Sequence, residues 1–431
     1  MDPVLTVDPP HQRDRQDARV ADALSAVRAE DLVTLLQALL AVPSVTGTAA
    51  ESEAQHLLQP RLEAAGMDTD LWGIDLPATL ADPDFPGLEA PRDEAWGLVG
   101  AWGGSDGPTV VLNGHIDVVP PGLMSDPWGG TLRGGSVFGR GACDMKAGLA
   151  CQLLAVQVLR TAGVRLRGRV LLQSVVGEED GGLGTFATLR RGHTGDVAVI
   201  CEPTGGSLVT ASAGALTFRL VVTGRSAHAS ARLEGVDALE KYVVVRAALQ
   251  RLEDRLNLDP DPLMAGYRLP YPVSVGRLSA GDWPSSVPAH LEAEGRLGVP
   301  LGQDLVAARH GLEAAVADAC ASDPWLADHP VEVQWWGGQF APGQVSADAA
   351  VTRWVSDAHH DVHGTRPPVH GVPYGSDQRL LTGLGGIPTV LYGPGDVRQA
   401  HTPYESVPVA ELVTVTRTLV RLVASACGTR R

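Results

Sequence analysis

Paired cysteines, long apolar runs and a basic charge balance are all missing from this chain. Its five cysteines (Cys143, Cys151, Cys201, Cys320 and Cys427) are odd in number and scattered over 431 residues, with no zinc-ribbon or thioredoxin spacing. Reduced thiols in a cytoplasm are the expectation. No apolar run approaches a membrane span, and the C-terminal helical pattern is broken by Glu411, Arg417 and Arg421. The N-terminal stretch, with Asp2, Pro9, Pro10, His11 and Arg13, lacks the apolar region of a signal peptide. Basic residues number 34 against 50 acidic ones, a net charge of -16, which argues against nucleic acid as a partner. A soluble cytoplasmic protein is expected, touching neither nucleic acid nor membrane. Any anionic ligand has to be drawn in by local positive groups, such as metals or an arginine.

What is present is enough aliphatic content for two cores, and the length favours two domains. Residues 1 to about 25 are polar and suggest a loosely held extension. Leu32, Leu35, Leu36, Leu39 and Leu40 recur at helical spacing up to Pro43. A second helix is predicted over Glu51–Ala65, ahead of Gly66. Strands are predicted at Thr109–Leu112, Val170–Val176 and Val197–Ile200, with a helix from Met145 to Leu159 between the first two. That alternation predicts an α/β layered fold with functional residues at strand C-termini. From about Ser212 the texture changes to strands at Ala215–Val222, His290–Val299 and Val331–Trp336. Helices are predicted there at Ala238–Leu256 and Leu305–Cys320, with Asp259–Pro272 as a loop. This resembles an inserted α+β domain. A helix near Asp348–His360, a strand at Thr389–Tyr392 and a last helix from Val407 resume the first pattern.

Histidines and carboxylates stand where these strands end. His115 closes an apolar strand and offers an imidazole to a borderline-soft cation. Asp117, two residues on, can hold the other ring nitrogen. Asp144 opens a helix, where a simple N-cap is the plainer explanation. Glu178 and Glu179 are adjacent after a buried strand and repel unless a cation compensates, although an exposed acidic turn also fits. Glu202 ends another strand before Pro203. His401 lies in a polar loop, where a surface histidine would be unremarkable. Jointly the charges balance: two divalent cations against Asp144, Glu179, Glu202 and one hydroxide, with both histidines neutral. Glu178 is left over to move protons. Cys143 and Cys201 are expected to be small buried hydrophobes beside these groups.

The order and spacing of Val42-Pro43-Ser44-Val45-Thr46-Gly47, Gly139-Arg140-Gly141-Ala142-Cys143-Asp144-Met145-Lys146-Ala147-Gly148, Glu178-Glu179, Glu202-Pro203-Thr204 and His401-Thr402-Pro403 resemble one family. It is the zinc-dependent amidohydrolases that include acetylornithine deacetylase, succinyl-diaminopimelate desuccinylase, aminoacylase-1 and carboxypeptidase G. The resemblance covers nearly the whole chain after about residue 28. It implies a three-layer di-zinc catalytic domain with a mixed sheet, formed by residues 1–211 and 340–431, and a lid and dimerisation domain at 212–339. It also implies that His115 and Glu202 bind one metal, Glu179 and His401 the other, and that Asp144 bridges them. Asp117 would orient His115, and Glu178 would be the general base. In Gly224-Arg225-Ser226-Ala227-His228-Ala229-Ser230, His228 would stabilise the oxyanion in a partner subunit of a homodimer. Arg296 would hold a substrate carboxylate. Zinc is the expected ion, and cobalt or manganese suits the same donors.

Two segments depart from the pattern. Trp283-Pro284-Ser285-Ser286-Val287-Pro288 lacks the asparagine common before Val-Pro. Tyr374-Gly375-Ser376-Asp377-Gln378-Arg379 partly resembles the Ser-Asp-x-Arg loop of the desuccinylase branch, and the Gly-Thr-Glu-Ala-Pro loop of one acetylornithine deacetylase group is missing. The expected activity is hydrolysis of the amide bond of an N-acyl amino acid, with a metallo-carboxypeptidase or dipeptidase as the alternative.

Overall fold

Short β-branched runs build the centre of the main sheet because they can be buried on both faces. The computed structural model describes residues 10–430. Thr109–His115 pairs in parallel with Arg169–Val175 on one side and Val197–Ile200 on the other, and Thr389–Leu391 extends the parallel set. Trp96–Gly103 and Asp68–Gly73 add antiparallel strands at one edge. Leu208–Ser212, Gly343–Gln344 and Val369–Val372 complete a nine-stranded mixed sheet at the other. Helices cover both faces. Gly114 points its absent side chain at Met145 and Leu149, next to the helix Lys146–Thr161. Its neighbour Asn113 points the opposite way and donates to Thr185 of the helix Leu183–Arg190. These are the three layers that the family resemblance implies.

The second texture forms its own sheet. Val273–Ala280, His290–Val299, Gly214–Thr223 and Glu332–Phe340 pair antiparallel in that order. Leu216, Phe218, Leu220 and Val222 alternate inward and, with Leu291, Ala293 and Leu297, meet the helices Ala238–Leu256 and Leu305–Ala321. Val273–Ala280 is an exposed edge strand whose inward-outward alternation stops after Val275, where the register shifts, so it was not legible as a strand.

The expected loose extension over residues 1 to about 25 needs correction. Residues 1–9 lie outside the described residues, and Pro10–Ser25 is a helix. Val20 and Ala23, three apart, are buried against the helices Lys146–Thr161 and Val409–Ala426. Two apolar positions in a charged segment suffice when a neighbouring surface receives them. Among the described residues, no helix is long and apolar enough to cross a membrane.

One buried histidine in this body has a pH signature. His359 Nδ1 lies 2.9 Å from Tyr392 Oη, and Tyr392 donates on to Thr418 Oγ1 at 3.2 Å. Tyr392 has one proton, so His359 Nδ1 is the donor between them. Burial, with the His363 ring stacked on it, lowers its pKa from 6.5 to about 4. A folded-state pKa below the unfolded one means that this stability is present above pH 6.5 and is lost as pH falls towards 4. We expect His359→Gln to be less stable than wild type at pH 8, by up to about 3 kcal/mol, with the gap closing by pH 4 in urea titrations. A gap independent of pH would remove this assignment.

Candidate metal centre

The carboxyl ends of the parallel strands deliver the predicted residues to one place. His115 is the last residue of its strand. Gly177, with φ 66°, turns the chain off Val175, a conformation that favours glycine, and presents Glu178 and Glu179. Glu202 follows the strand ending at Ile200, and His401 arrives on the loop after Thr389–Leu391. His401 itself has φ 63°. A non-glycine residue held in this region costs of order 1–3 kcal/mol, a strain that concentrates at functional sites.

Asp144 is the centre of the cluster. Its Oδ1 lies 3.1 Å from His115 Nε2 and its Oδ2 lies 3.5 Å from His401 Nε2. Glu179 Oε2 is 3.2 Å from His401 Nε2, and Glu202 Oε1 is 4.0 Å from His115 Nε2. The donor atoms of His115, Asp144 and Glu179 all fall within 4.8 Å of one another. Both imidazoles thus turn the same nitrogen inward, each to a different oxygen of one carboxylate.

The electrostatics call for cations. Burial raises the pKa of Glu178 and Glu202 well above the ordinary carboxylate value, and neighbouring carboxylates add to it. Glu179 is raised for the same reasons. Burial opposes charge on His115, but Asp144, Asp117, Glu202 and Glu178 together push its pKa well up. Burial would raise Asp144 too, yet hydrogen bonds from the two histidines hold it low. Carboxylates crowd two histidines here, and mixed nitrogen and oxygen donors of this kind fit two divalent cations.

Several supports were invisible in the sequence. Asp117 does more than face His115 Nδ1 at 3.6 Å: its Oδ1 accepts from Glu178 N and its Oδ2 from Glu179 N and Thr46 Oγ1. The His115 ring nitrogen Nδ1 also meets the Asp117 backbone oxygen at 2.9 Å. Glu405 accepts from the backbone amides of Cys143 and Asp144, at 3.0 and 3.1 Å, and pairs with Arg140. Its position four residues after His401 was the only available clue. All five cysteines are buried and free.

Arg92 sits behind the Glu178-Glu179 turn, buried between Asp180 at 2.9 Å and Glu51 at 3.0 Å. Burial is the main reason that the pKa of Glu51 rises to about 7, with Asp117 adding to it and Arg92 opposing. Arg92→Met leaves two buried carboxylates without their cation, and we expect a loss of about 3–5 kcal/mol in urea unfolding. A loss below 1 kcal/mol would show that the trio carries no such weight.

A cavity of about 530 Å³ opens over the cluster, lined by Asp144, Glu178, Glu179, Glu202 and His401 and, from the smaller sheet, by Arg296. His228 is not among its lining residues. It is exposed, hydrogen-bonded to Ser230, and bridged to Ser286.

Residues 111–425 match the peptidase family M20/M25/M40. The chain belongs to this family. As a member of it, the protein is a hydrolase of amide bonds. It is 28% identical over 438 residues to an N-formyl-4-amino-5-aminomethyl-2-methylpyrimidine deformylase of Halalkalibacterium halodurans, covering 93% of this chain and 96% of that protein. A tripeptidase of Staphylococcus aureus has the same fold, with a TM-score of 0.72 at 20% identity over 93% of this chain and 99% of that one. A dinuclear metal-binding M20 peptidase of Bacillus subtilis superposes with a TM-score of 0.59 at 17% identity, over 92% and 98% of the two chains.

Proposed function

We propose that this member of the family deacylates a small N-acyl compound at a two-cation centre. His115 and Glu202 would hold one cation, Glu179 and His401 the other, and Asp144 would serve both. The observation that carries this reading is Asp144, whose two oxygens face two histidines. When bound, the cations acidify water and polarise the scissile carbonyl. Glu178, buried in the cavity wall, takes a proton from the attacking water and returns it to the leaving nitrogen. Asp117 keeps the His115 ring and the Glu178 turn in register. Deacylation rather than peptide cleavage is supported by the deformylase relative, which matches over nearly the full length of both chains.

Residues 212–339 serve as the lid and dimerisation domain in this reading, with His228 acting in the partner subunit's cavity. That role is supported by its exposure and its absence from the cavity lining of its own chain. Protein loaded with zinc, cobalt or manganese is to be assayed with and without chelator on N-formyl and N-acetyl amides and on dipeptides. Chelator-sensitive release of amine from the N-acyl compounds is expected. Faster cleavage of dipeptides would move the protein to the peptidases, and full activity in chelator would overturn the cation assignment.

A further inference from the structure

Hydrolysis at this centre leaves the amine half of the substrate to be defined, and the positive charges beside the cavity define it. Arg296, where a substrate carboxylate is expected from sequence, is already engaged: its Nη2 lies 3.0 Å from Glu89 Oε1. The same oxygen accepts from Thr217 Oγ1 at 2.9 Å. Thr217 and Arg296 are cross-strand partners in the smaller sheet, so together they form a small cradle for the Glu89 carboxylate. Glu89 and Arg296 both line the cavity that contains Glu178.

Glu89 does not reach this cradle by chance drift of a long side chain. Its backbone amide and that of Ala90 donate to Asp180 Oδ2, at 3.2 and 2.8 Å. Three residues on, Arg92 is clamped between Asp180 and Glu51. On the other side, Gln339 N donates to Pro86 O at 2.9 Å. The loop that carries Glu89 is therefore tied to both sheets. A second guanidinium, Arg379, stacks 3.8 Å from the centre of the Phe340 ring, behind the cavity wall. It too is answered, with Asp377 Oδ1 at 3.6 Å and the backbone oxygens of Ser376 and Gly181 accepting from it.

We propose that Glu89 determines specificity by excluding a carboxylate from the amine side of the pocket. The substrate is then a small N-acyl amine with no carboxylate on the carbon that bears the scissile nitrogen. This rests on the deacylase reading above and narrows it, replacing the N-acyl amino acid expected from sequence. A substrate carboxylate at Arg296 would compete with Glu89 for one guanidinium and set two like charges side by side. Displacing Glu89 would strand its charge and leave Thr217 unpaired. A hydrogen-bond donor on the amine half meets Glu89 favourably. Discrimination here comes from what the pocket repels.

N-Formylbenzylamine and N-formylphenylglycine differ only by the carboxylate in question. We expect metal-loaded wild type to favour the first in kcat/KM by about tenfold or more. Glu89→Gln should shift the ratio at least tenfold towards the second. A wild type that prefers N-formylphenylglycine overturns the proposal. So does a Glu89→Gln variant whose activities fall together at an unchanged ratio, because Glu89 would then only brace the two sheets. Calorimetric binding of benzylamine and phenylglycine to the same metal-loaded proteins reads the pocket without turnover. If neither amide is cleaved but benzylamine binds more tightly in wild type and loses that advantage in Glu89→Gln, the exclusion stands and the deacylase reading fails. Equal binding of the two by wild type overturns the exclusion.

Discussion

Glu178→Ala should lower kcat by roughly 10²–10⁴-fold while both cations remain bound. The expectation rests on where the turn gets its order. The Glu178 backbone amide is held by Asp117 Oδ1 at 3.2 Å and the Glu179 amide by Asp117 Oδ2 at 3.3 Å. Removing the Glu178 carboxylate therefore leaves the backbone, Glu179 and the histidines where they are. What disappears is a cavity carboxylate that the proposed cation set leaves unused and that no arginine or threonine engages, and with it the proton path from water to the leaving nitrogen. Glu178→Gln preserves shape and hydrogen-bonding capacity but not basicity, so it should be nearly as slow. Metal content by mass spectrometry, beside kcat and KM, checks this. Turnover within tenfold of wild type would sink the general-base role, and loss of metal would place Glu178 among the ligands.

Asp144→Asn should act on the other term, with metal content falling below two per chain and kcat/KM falling by about 10³-fold or more. An amide has one carbonyl oxygen and one donor group, so it cannot present an acceptor to both sides as Asp144 now does to His115 and His401. The replacement also removes the charge that stands between two cations. Its backbone remains fixed by Glu405 through the amides of Cys143 and Asp144. A folded variant with poor metal occupancy is thus the expected result, read by near-UV circular dichroism and metal analysis. Two tightly held cations in Asp144→Asn would overturn the bridging assignment.

These two substitutions also show how unevenly the site was legible. His115, Glu178-Glu179, Glu202 and His401 announce themselves because each follows an apolar strand or a polar loop at a chain reversal. Arg92, Glu51, Asp180 and Glu405 do not, since a charged residue in a loop, at a helix start or in an acidic run looks like solvent-exposed surface. Their role comes from burial: Arg92 and Glu405 have almost no accessible side chain. Glu89 was equally silent, because nothing local says that a loop glutamate will meet an arginine 207 positions away.

Local patterning in the sequence determined the main helices and central strands, the change of texture near residue 212, and which histidines and carboxylates end those strands. Periodicity and chain reversal are properties of neighbours in sequence, so they need no three-dimensional knowledge. The tertiary structure alone decided that Pro10–Ser25 docks as a helix, that Asp117 and Glu405 order the cluster, and that Arg296 is paired before any substrate arrives. Each of these depends on contacts between distant segments. Their energies come from burial and charge pairing, which exist only once the sheets have brought those segments together.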